Sequence, residues 1–509
     1  MKKIFKLNML VITILFLGSC DKGFDELNTS KTAAISIDPV FIMNRATLGS
    51  AFTTGSAIYE MGIVQQVISP NSGVLTGANY NQDNRASTQA NWQNYFQNVI
   101  KNTMDILVAT KEDPARSNLY NMARILQAYA YMVLTDSYGD VPYSQGGAGY
   151  TEQIFFPVYE SQQSIYPKII QELTEASAAL DAGKRIETGD VLYGGNVAKW
   201  KKFGYSLLLR AGMRLGKADA TKAQAAVAAA FSGGVILLNA DNASIRHDAN
   251  YLSPIGNMLN STEAANFYLT KPFVDALKNN SDPRLSAIAI RYVGATSGTS
   301  QTVASGNTTA SMQVGMPMGK DNATVAAAAS ADGLASFYEY SQLDRRRLAK
   351  TTAPNFLVTA AQTNLLLAEA KFKGWITSTV TAAEYFSLGV RAHMEQVSSV
   401  DAASSIAGAD RDTYVNARTA LFAGNELREI NYEYWIASLL NGPEAFANFR
   451  RSGFPVLTPN PYPGSEVPGA FINRLTYPNS EISVNSVNVQ AAIAAQGPDN
   501  LATKVWWAK

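Results

Sequence analysis

Ser117–Ser144 reads SNLYNMARILQAYAYMVLTDSYGDVPYS, and its periodicity decides how the rest of the chain is organised. Leu119, Met122, Ala123, Leu126, Ala130, Val133 and Leu134 advance in steps of three and four, which puts one continuous apolar stripe on a helix. Ser117 is the expected N-cap, and the helix must stop before Gly139, where Asp140-Val141-Pro142-Tyr143 forces a turn. Tyr129 and Tyr131 fall off the stripe, so this helix is expected to pack on more than one side. Helices of that kind belong to stacked pairs.

Upstream, residues 38 to 68 read as one helix, with Asp38 as N-cap and Pro39 at the first helical position. Residues 69 to 91 (SPNSGVLTGANYNQDNRASTQAN) are Asn-, Gly- and Ser-rich without periodicity, which predicts a long surface loop. Trp92, Tyr95, Phe96, Val99 and Ile100 resume helical spacing. Downstream, residues 161 to 180 place Ile165, Ile169, Leu173, Ala176 and Leu180 on one face, with Pro167 expected to turn or kink it. Asn196 should cap VAKWKKFGYSLLLRAGMRLG, where Arg210 and Arg214 read as a solvated or carboxylate-paired face. An Ala-rich helix over about Lys222–Phe231 stops at Gly233-Gly234.

From Ala240 to Gly333 the period is lost: a turn at Asp282-Pro283-Arg284-Leu285, a polar low-complexity run over 294–311, then Gly315-Met316-Pro317-Met318-Gly319. This predicts a loop-rich lobe laid over helices. Helix returns over Asn355–Trp375, about Ala383–Val397, and a stretch carrying Leu427, Ile430, Tyr434, Trp435 and Leu439. The Pro/Gly/Asn-rich end, Arg450–Lys509, should be held down by its aromatics, with Trp506-Trp507 as the C-terminal staple. The expected fold is mainly α: a tetratricopeptide-like helix-pair scaffold in which no pair buries its face alone, although that repeat's own signature is absent. Its loop-rich segments are about 69–91, 240–340 and 450–509.

The N-terminus carries a targeting pattern. Lys2, Lys3 and Lys6 precede an apolar run from Met9 to Leu17, roughly half of the ~20 residues that a membrane-spanning helix needs. It ends in Leu17-Gly18-Ser19-Cys20, a bacterial lipobox pattern, and Cys20 is the sole cysteine of the chain. Residues 1–19 are therefore expected to be a signal peptide and Cys20 the lipidated residue. The remaining 20–509 would form a single domain held at the membrane by its lipid alone.

Charge is balanced, with 42 Lys and Arg against 41 Asp and Glu, so nucleic-acid binding has no electrostatic footprint. Only two histidines occur, His247 and His393, and there is no HExxH, CxxC, GxSxG or phosphate-cradling loop. No catalytic residue, metal ligand or cofactor is expected, and calcium among the Asn/Asp loops lacks a DxDxDG pattern. The 41 acids leave a carboxylate pair for glycoside hydrolysis open by counting. Helical-repeat scaffolds, however, are binding surfaces far more often than acid/base sites.

Five segments, in order, resemble the SusD/RagB-like nutrient-binding outer-membrane lipoproteins. They are TDSYGDVPYS (Thr135–Ser144), KWKKFGYSLLLRAGMRL (Lys199–Leu215), DPRL with the later GMPMG, LLLAEAKFKGW (Leu365–Trp375), and NGPEAFANFRRSGFP followed by RLTYPNSE. The lipobox, the acidic tether after Cys20 and a closing Val505-Trp506-Trp507 complete the pattern, with Ala508 standing where such proteins usually carry Asp. The resemblance implies tetratricopeptide-like pairs under a loop-rich ligand face. It further implies a SusC-like TonB-dependent transporter over which the lipoprotein sits as a lid, and a glycan, oligosaccharide or peptide ligand at the cell surface.

A sugar site needs aromatic faces for ring C–H groups and amide, carboxylate or guanidinium groups for hydroxyls. The 70–92 loop offers Tyr80, Asn81, Asp83, Arg85 and Trp92, with a core role competing for Trp92 at its helix start; Tyr338 belongs to a second aromatic cluster with Phe337 and Tyr340. The sequence thus reads as a non-catalytic, surface-exposed binding subunit of a nutrient importer. The alternatives are a lipid-anchored glycan-processing hydrolase and a structural lid that binds no free ligand.

Overall fold

The structure is a computed structural model that describes residues 37–509, so Cys20, the lipobox and the acidic tether lie outside the described residues. Pro39–Lys509 forms one compact unit by itself. It begins with α1 (Pro39–Gly49) and α2 (Arg85–Asn94), which runs through a π turn over Tyr95–Ile100 into α3 (Lys101–Thr110). Then come α4 (Ser117–Tyr138), α5 (Gln162–Ala179), α6 (Val197–Arg214) and α7 (Ala220–Gly233), each packed on the next. The second run is α8 (Ala360–Phe372), α9 (Ala382–Val400), α10 (Gly408–Ala420), α11 (Glu426–Ala437) and α12 (Gly442–Ser452). α8 joins the runs by packing on α6, and α12 packs back on α4. The chain is mainly helical, with strands of two to four residues. Among the described residues no helix is long and apolar enough to cross a membrane.

Caps explain many boundaries. Asn84, Ser161, Asn196 and Asp219 each accept from a backbone N–H in the first turn of the helix that follows, and Thr359 and Thr381 make full capping boxes with Gln362 and Glu384. Four expectations need correction. Residues 38–68 are not one helix: α1 ends at Gly49, and two short turns (Thr54–Ile58, Glu60–Ile63) lead to strand β1 (Val67–Ile68). Ser117 lies inside α4 rather than capping it, because the 3-10 turn Pro114–Arg116, capped by Asp113, runs straight into the helix. Pro167 does not break α5; it sits in the second turn, where one backbone donor is lost and the helix continues. Asn355–Val358 is a strand, β7, paired antiparallel with β2 (Ala243–Ile245), and the helix starts only after Thr359.

The 240–340 lobe also carries more structure than its sequence suggests. It contains helices at Pro254–Asn260, Lys271–Asn279 and Val325–Ala331, and β3 (Tyr268–Leu269) pairs with β1. β4 (Ala289–Tyr292) is the middle strand of an antiparallel sheet with β5 (Gly306–Asn307) and β6 (Gln342–Leu343). A satellite core of Ile68, Tyr268, Met316, Met318, Val325, Ala329, Leu334 and Tyr340 holds the lobe together.

The Thr135–Asp140 corner is a hub of buried bonds. Gly139, at φ +83°, donates to the Thr135 carbonyl, and an added Cβ would sit 1.7 Å from Gln496 Oε1. The Asp136 carboxylate accepts from Tyr166 Oη, from Trp507 Nε1 at 2.8 Å and from Arg214 Nε at 3.2 Å. Asp140 caps α5 through Gln162 N at 2.9 Å, while Tyr477 Oη donates to its carbonyl at 2.7 Å. The tail is thereby fastened to α4, and Trp507 is 1% exposed.

Beneath this hub lies Glu60, 1% exposed, whose Oε2 accepts from Ser56 Oγ at 2.6 Å. Burial pushes its carboxyl up to about 7 against the hydrogen bonds from Ser56 and Ser137. The folded state therefore holds a proton that the unfolded chain releases near its ordinary value of 4.5. Stability from this group falls as pH rises from there through 7, by on the order of 3 kcal/mol. Glu60→Gln removes the titration: its advantage over the parent should be small at pH 5 and grow by pH 8, read as urea midpoints at both pH values. A difference independent of pH would overturn this.

Candidate ligand-binding face

The strongest candidate site is built on β4. Strand alternation places Ile290 and Tyr292 on one face and Arg291 on the other. Ile290 and Tyr292 cluster with Ala295, and Tyr338 packs against them. Arg291 instead reaches Glu339, with Nη2 2.6 Å from Oε1, and fixes the 3-10 turn Phe337–Glu339. Ser336 caps that turn by accepting from Tyr338 N. Phe337 and Tyr338 stack at 4.2 Å with 28° between planes, and Phe337 rests edge-on against Tyr268 at 6.2 Å. The Tyr338 ring is thus braced from behind.

Polar groups lie in its neighbourhood. Arg345 lies 5.2 Å over the Tyr292 ring and donates to its hydroxyl at 3.1 Å and to Gln301 Oε1 at 3.4 Å. Gln301 Nε2 donates to the Tyr338 carbonyl at 2.8 Å. Close by, Asn71 Nδ2 donates to Asn266 Oδ1 and Asn266 Nδ2 to Glu263 Oε2, both at 2.6 Å. The two groups are brought side by side at Gly298, where an added Cβ would stand 2.8 Å from Ala265 Cβ and 3.9 Å from the Tyr338 ring. Tyr338, Arg345, Gln301, Asn71, Asn266 and Glu263 are all half-buried. The Tyr338 hydroxyl has no hydrogen-bond partner among the described residues. An aromatic face with amide, guanidinium and carboxylate groups at its rim suits a polyhydroxylated ring.

The other residues singled out in the sequence are placed differently. Tyr80 is 2% exposed; its hydroxyl donates to the Pro70 carbonyl and its ring meets Tyr462 edge-on at 4.8 Å. Asn81 is 4% exposed at φ +47°, and its carbonyl accepts from Glu466 N. Asp83 accepts from Thr476 Oγ1 at 2.6 Å and pairs with Arg85 at 3.0 Å, and Arg85 also binds Asp499 at 2.7 Å. Trp92, 3% exposed, is enclosed by Phe96, Tyr138, Tyr159 and Tyr477. The 69–91 stretch is therefore not one open loop: residues 85–91 are the first turns of α2, and residues 69–84 form a folded clasp between that helix and the tail. Tyr338 alone of these six stands at the face described above. Tyr292, Gln301, Arg345, Asn71, Asn266 and Glu263 were not singled out from sequence; the polar 294–311 run and the Asp344-Arg345-Arg346-Arg347 cluster were the available signals.

Titratable chemistry here is subdued. Burial would raise the Glu339 carboxyl, but the Ala335 N–H and Arg291 outweigh it and hold it below the usual range. Away from this face, on α9, His393 is buried beside Arg284, whose Nη1 lies 3.0 Å from Nδ1, and burial followed by that cation keeps its pKa well below normal.

The SusD-like family model, described as starch-binding and associating with the outer membrane, matches residues 30–478. The chain belongs to the SusD-like family. A chitin-binding protein of solved structure is 29% identical, with a TM-score of 0.81 over 93% of this chain and all of its own. A chitin-binding SusD homologue from Flavobacterium johnsoniae is 22% identical, with a TM-score of 0.73 over 92% of this chain and 97% of its own. A SusD homologue from Bacteroides uniformis is 22% identical, with a TM-score of 0.75 over 93% and 100%. No match is found among curated proteins. The recurring SusD-like architecture accounts for helix pairs that lack a clean sequence repeat.

Proposed function

We propose that this chain is a non-catalytic, lipid-anchored surface protein that binds an oligosaccharide at the Tyr338 face and delivers it to a SusC-like TonB-dependent transporter. The observation that carries the reading is the braced Tyr338 ring rimmed by Arg345, Gln301, Asn71 and Asn266. The family's starch-binding description and the chitin-binding name of one relative support a glycan over a peptide. Anchoring through Cys20 and cell-surface placement rest on the lipobox and on the family's outer-membrane association. A general acid for glycoside cleavage needs a raised carboxyl, and Glu339 is held in the opposite direction by Arg291 and backbone. Glu339 is therefore not poised as that acid.

The test is a titration of the purified protein from Asp21 onward with chito-oligosaccharides, malto-oligosaccharides and short peptides, by calorimetry and thermal shift. A binder of the folded state stabilises it by mass action, by about 2.7 kcal/mol at a hundredfold excess over Kd, and so raises the melting temperature. Saturable binding of an oligosaccharide that is recovered uncleaved is the expected result. Cleaved product, or binding of peptides alone, would sink the reading.

A further inference from the structure

A cleft of about 340 Å³ opens between the helix Lys271–Asn279, α11 and the tail segment 455–458. It far exceeds the ~10–15 Å³ that admits a single water and falls at the lower end of the ~300–1,000 Å³ of small-molecule pockets. Arg428, Tyr432 and Trp435 follow helical spacing on α11, so one face of that helix supplies three of the lining side chains. Both rings are held, and their polar tips are already satisfied. Trp435 Nε1 donates to the Val64 carbonyl at 2.8 Å, and its ring meets Phe273 edge-on at 5.1 Å. Tyr432 Oη donates to the Ala276 carbonyl at 2.9 Å and accepts from Asn280 Nδ2 at 3.1 Å, while the Arg418 guanidinium covers one ring face at 4.6 Å. What the rings offer the cleft is apolar surface, which Pro272, Val456 and Leu457 extend.

Gln65 is different. It is 2% exposed, and its backbone N–H and carbonyl are satisfied by Gly62 and by the Thr270 hydroxyl. Its Nε2 donates to the Thr458 carbonyl at 2.6 Å, which fixes the orientation of the amide. Oε1 is left without a partner among the described residues, a buried acceptor in the lining of the cleft. Arg428, half-exposed, spends Nε and Nη2 on Glu429 Oε1 at 3.0 Å, and its Nη1 has no partner among the described residues. No carboxylate lines the cleft, and Arg428 is its one charged group. A bare pyranose would bring hydroxyls on every side, and those entering an apolar lining unpaired cost free energy. A secondary amide with a methyl cap fits better: its N–H suits Gln65 Oε1, its carbonyl suits Arg428, and its methyl suits the aromatic and aliphatic wall. We propose that this cleft is a second ligand site that takes the acetamido group of an N-acetylated sugar. That a sugar carries the amide rests on the reading of this chain as a saccharide binder; the cleft itself shares no residue with the Tyr338 face.

The experiment titrates the purified protein with N-acetylglucosamine, glucose and N-acetylglycinamide, by calorimetry and by NMR saturation transfer from protein to the acetyl methyl. N-acetylglucosamine is expected to bind saturably with its methyl receiving the strongest transfer, and glucose to bind at least tenfold more weakly. Val456→Asp, which charges the apolar wall, and Arg428→Met, which removes the donor, should each weaken N-acetylglucosamine at least tenfold. Val456 is 82% exposed and Glu429 keeps Arg418, so both variants should melt like the parent. Tyr338→Ala removes the other face, so the binding that survives in it belongs to the cleft. N-acetylglucosamine bound here with no oligosaccharide bound at Tyr338 would uphold the cleft and remove only the reading of that face. Binding lost in Tyr338→Ala, binding unchanged in Val456→Asp, or glucose bound as tightly as N-acetylglucosamine overturns the proposal. So does binding of N-acetylglycinamide alone, which assigns the cleft to a peptide amide.

Discussion

Asp136→Ala will lower the stability of this protein by about 3–5 kcal/mol, the range for breaking a buried ion pair by removing one partner. The carboxylate receives Tyr166 Oη, Trp507 Nε1 and Arg214 Nε, and all four residues are at most 5% exposed. Truncation leaves Arg214 with Glu444 alone, 2.6 Å away, while Arg210 shares that same carboxylate at 3.1 Å. Two buried guanidinium groups would then face one acid, and two donors would lose their acceptor. Asp136→Asn keeps an acceptor for Trp507 but not the charge, so it should fall between parent and alanine. The pair Asp136→Ala with Arg214→Met should cost less than the sum of the singles, because the second change removes the charge stranded by the first. Urea unfolding followed by circular dichroism reads the parent and the four variants. A loss under about 1 kcal/mol for Asp136→Ala would mean that water enters and replaces the carboxylate.

This hub explains how far the sequence could be read. The stripe on α4 gave the helix and its end at Gly139, and the off-stripe Tyr129 and Tyr131 gave burial on several sides; both tyrosines are 2% exposed. Periodicity works there because one long element dominates its own environment. It fails where elements are short and satisfied across the chain. β4, β5 and β6 have four, two and two residues, too few to establish a period of two. In the 69–91 stretch, composition misled for a different reason. Asn79 Nδ2 donates to the carbonyls of Ser69 and Lys320, and Asn84 Nδ2 to that of Thr76, so polar side chains fold the segment inward. Arg210 and Arg214 show the same limit. Their carboxylate pairing was legible as one option, but their burial depends on Glu444 and Asp136, which lie far away in sequence. The Tyr338 face needed residues from the 71, 266, 301 and 338 neighbourhoods, which only the folded lobe brings together.

That face gives the second large effect. Tyr338→Ala will weaken oligosaccharide binding at least tenfold, about 1.4 kcal/mol, if the ring is the stacking platform of the site. The substitution should leave the unfolding midpoint nearly unchanged, since the ring is half-buried in a small cluster of Ile290, Tyr292 and Ala295 rather than in the main core. Tyr338→Phe keeps the stack on Phe337 and loses only a hydroxyl without a partner among the described residues, so its affinity reports whether that hydroxyl touches ligand. Arg345→Gln tests the rim independently: it releases Gln301 and the Tyr292 hydroxyl but leaves Tyr338 braced. Tyr80→Phe is the contrasting control, because Tyr80 is enclosed between Pro70 and Tyr462. It should reduce stability by about 1 kcal/mol through the lost bond to Pro70, with affinity intact. The reverse pattern, affinity lost in Tyr80→Phe and kept in Tyr338→Ala, would move the ligand to the 69–84 clasp and require that clasp to open on binding.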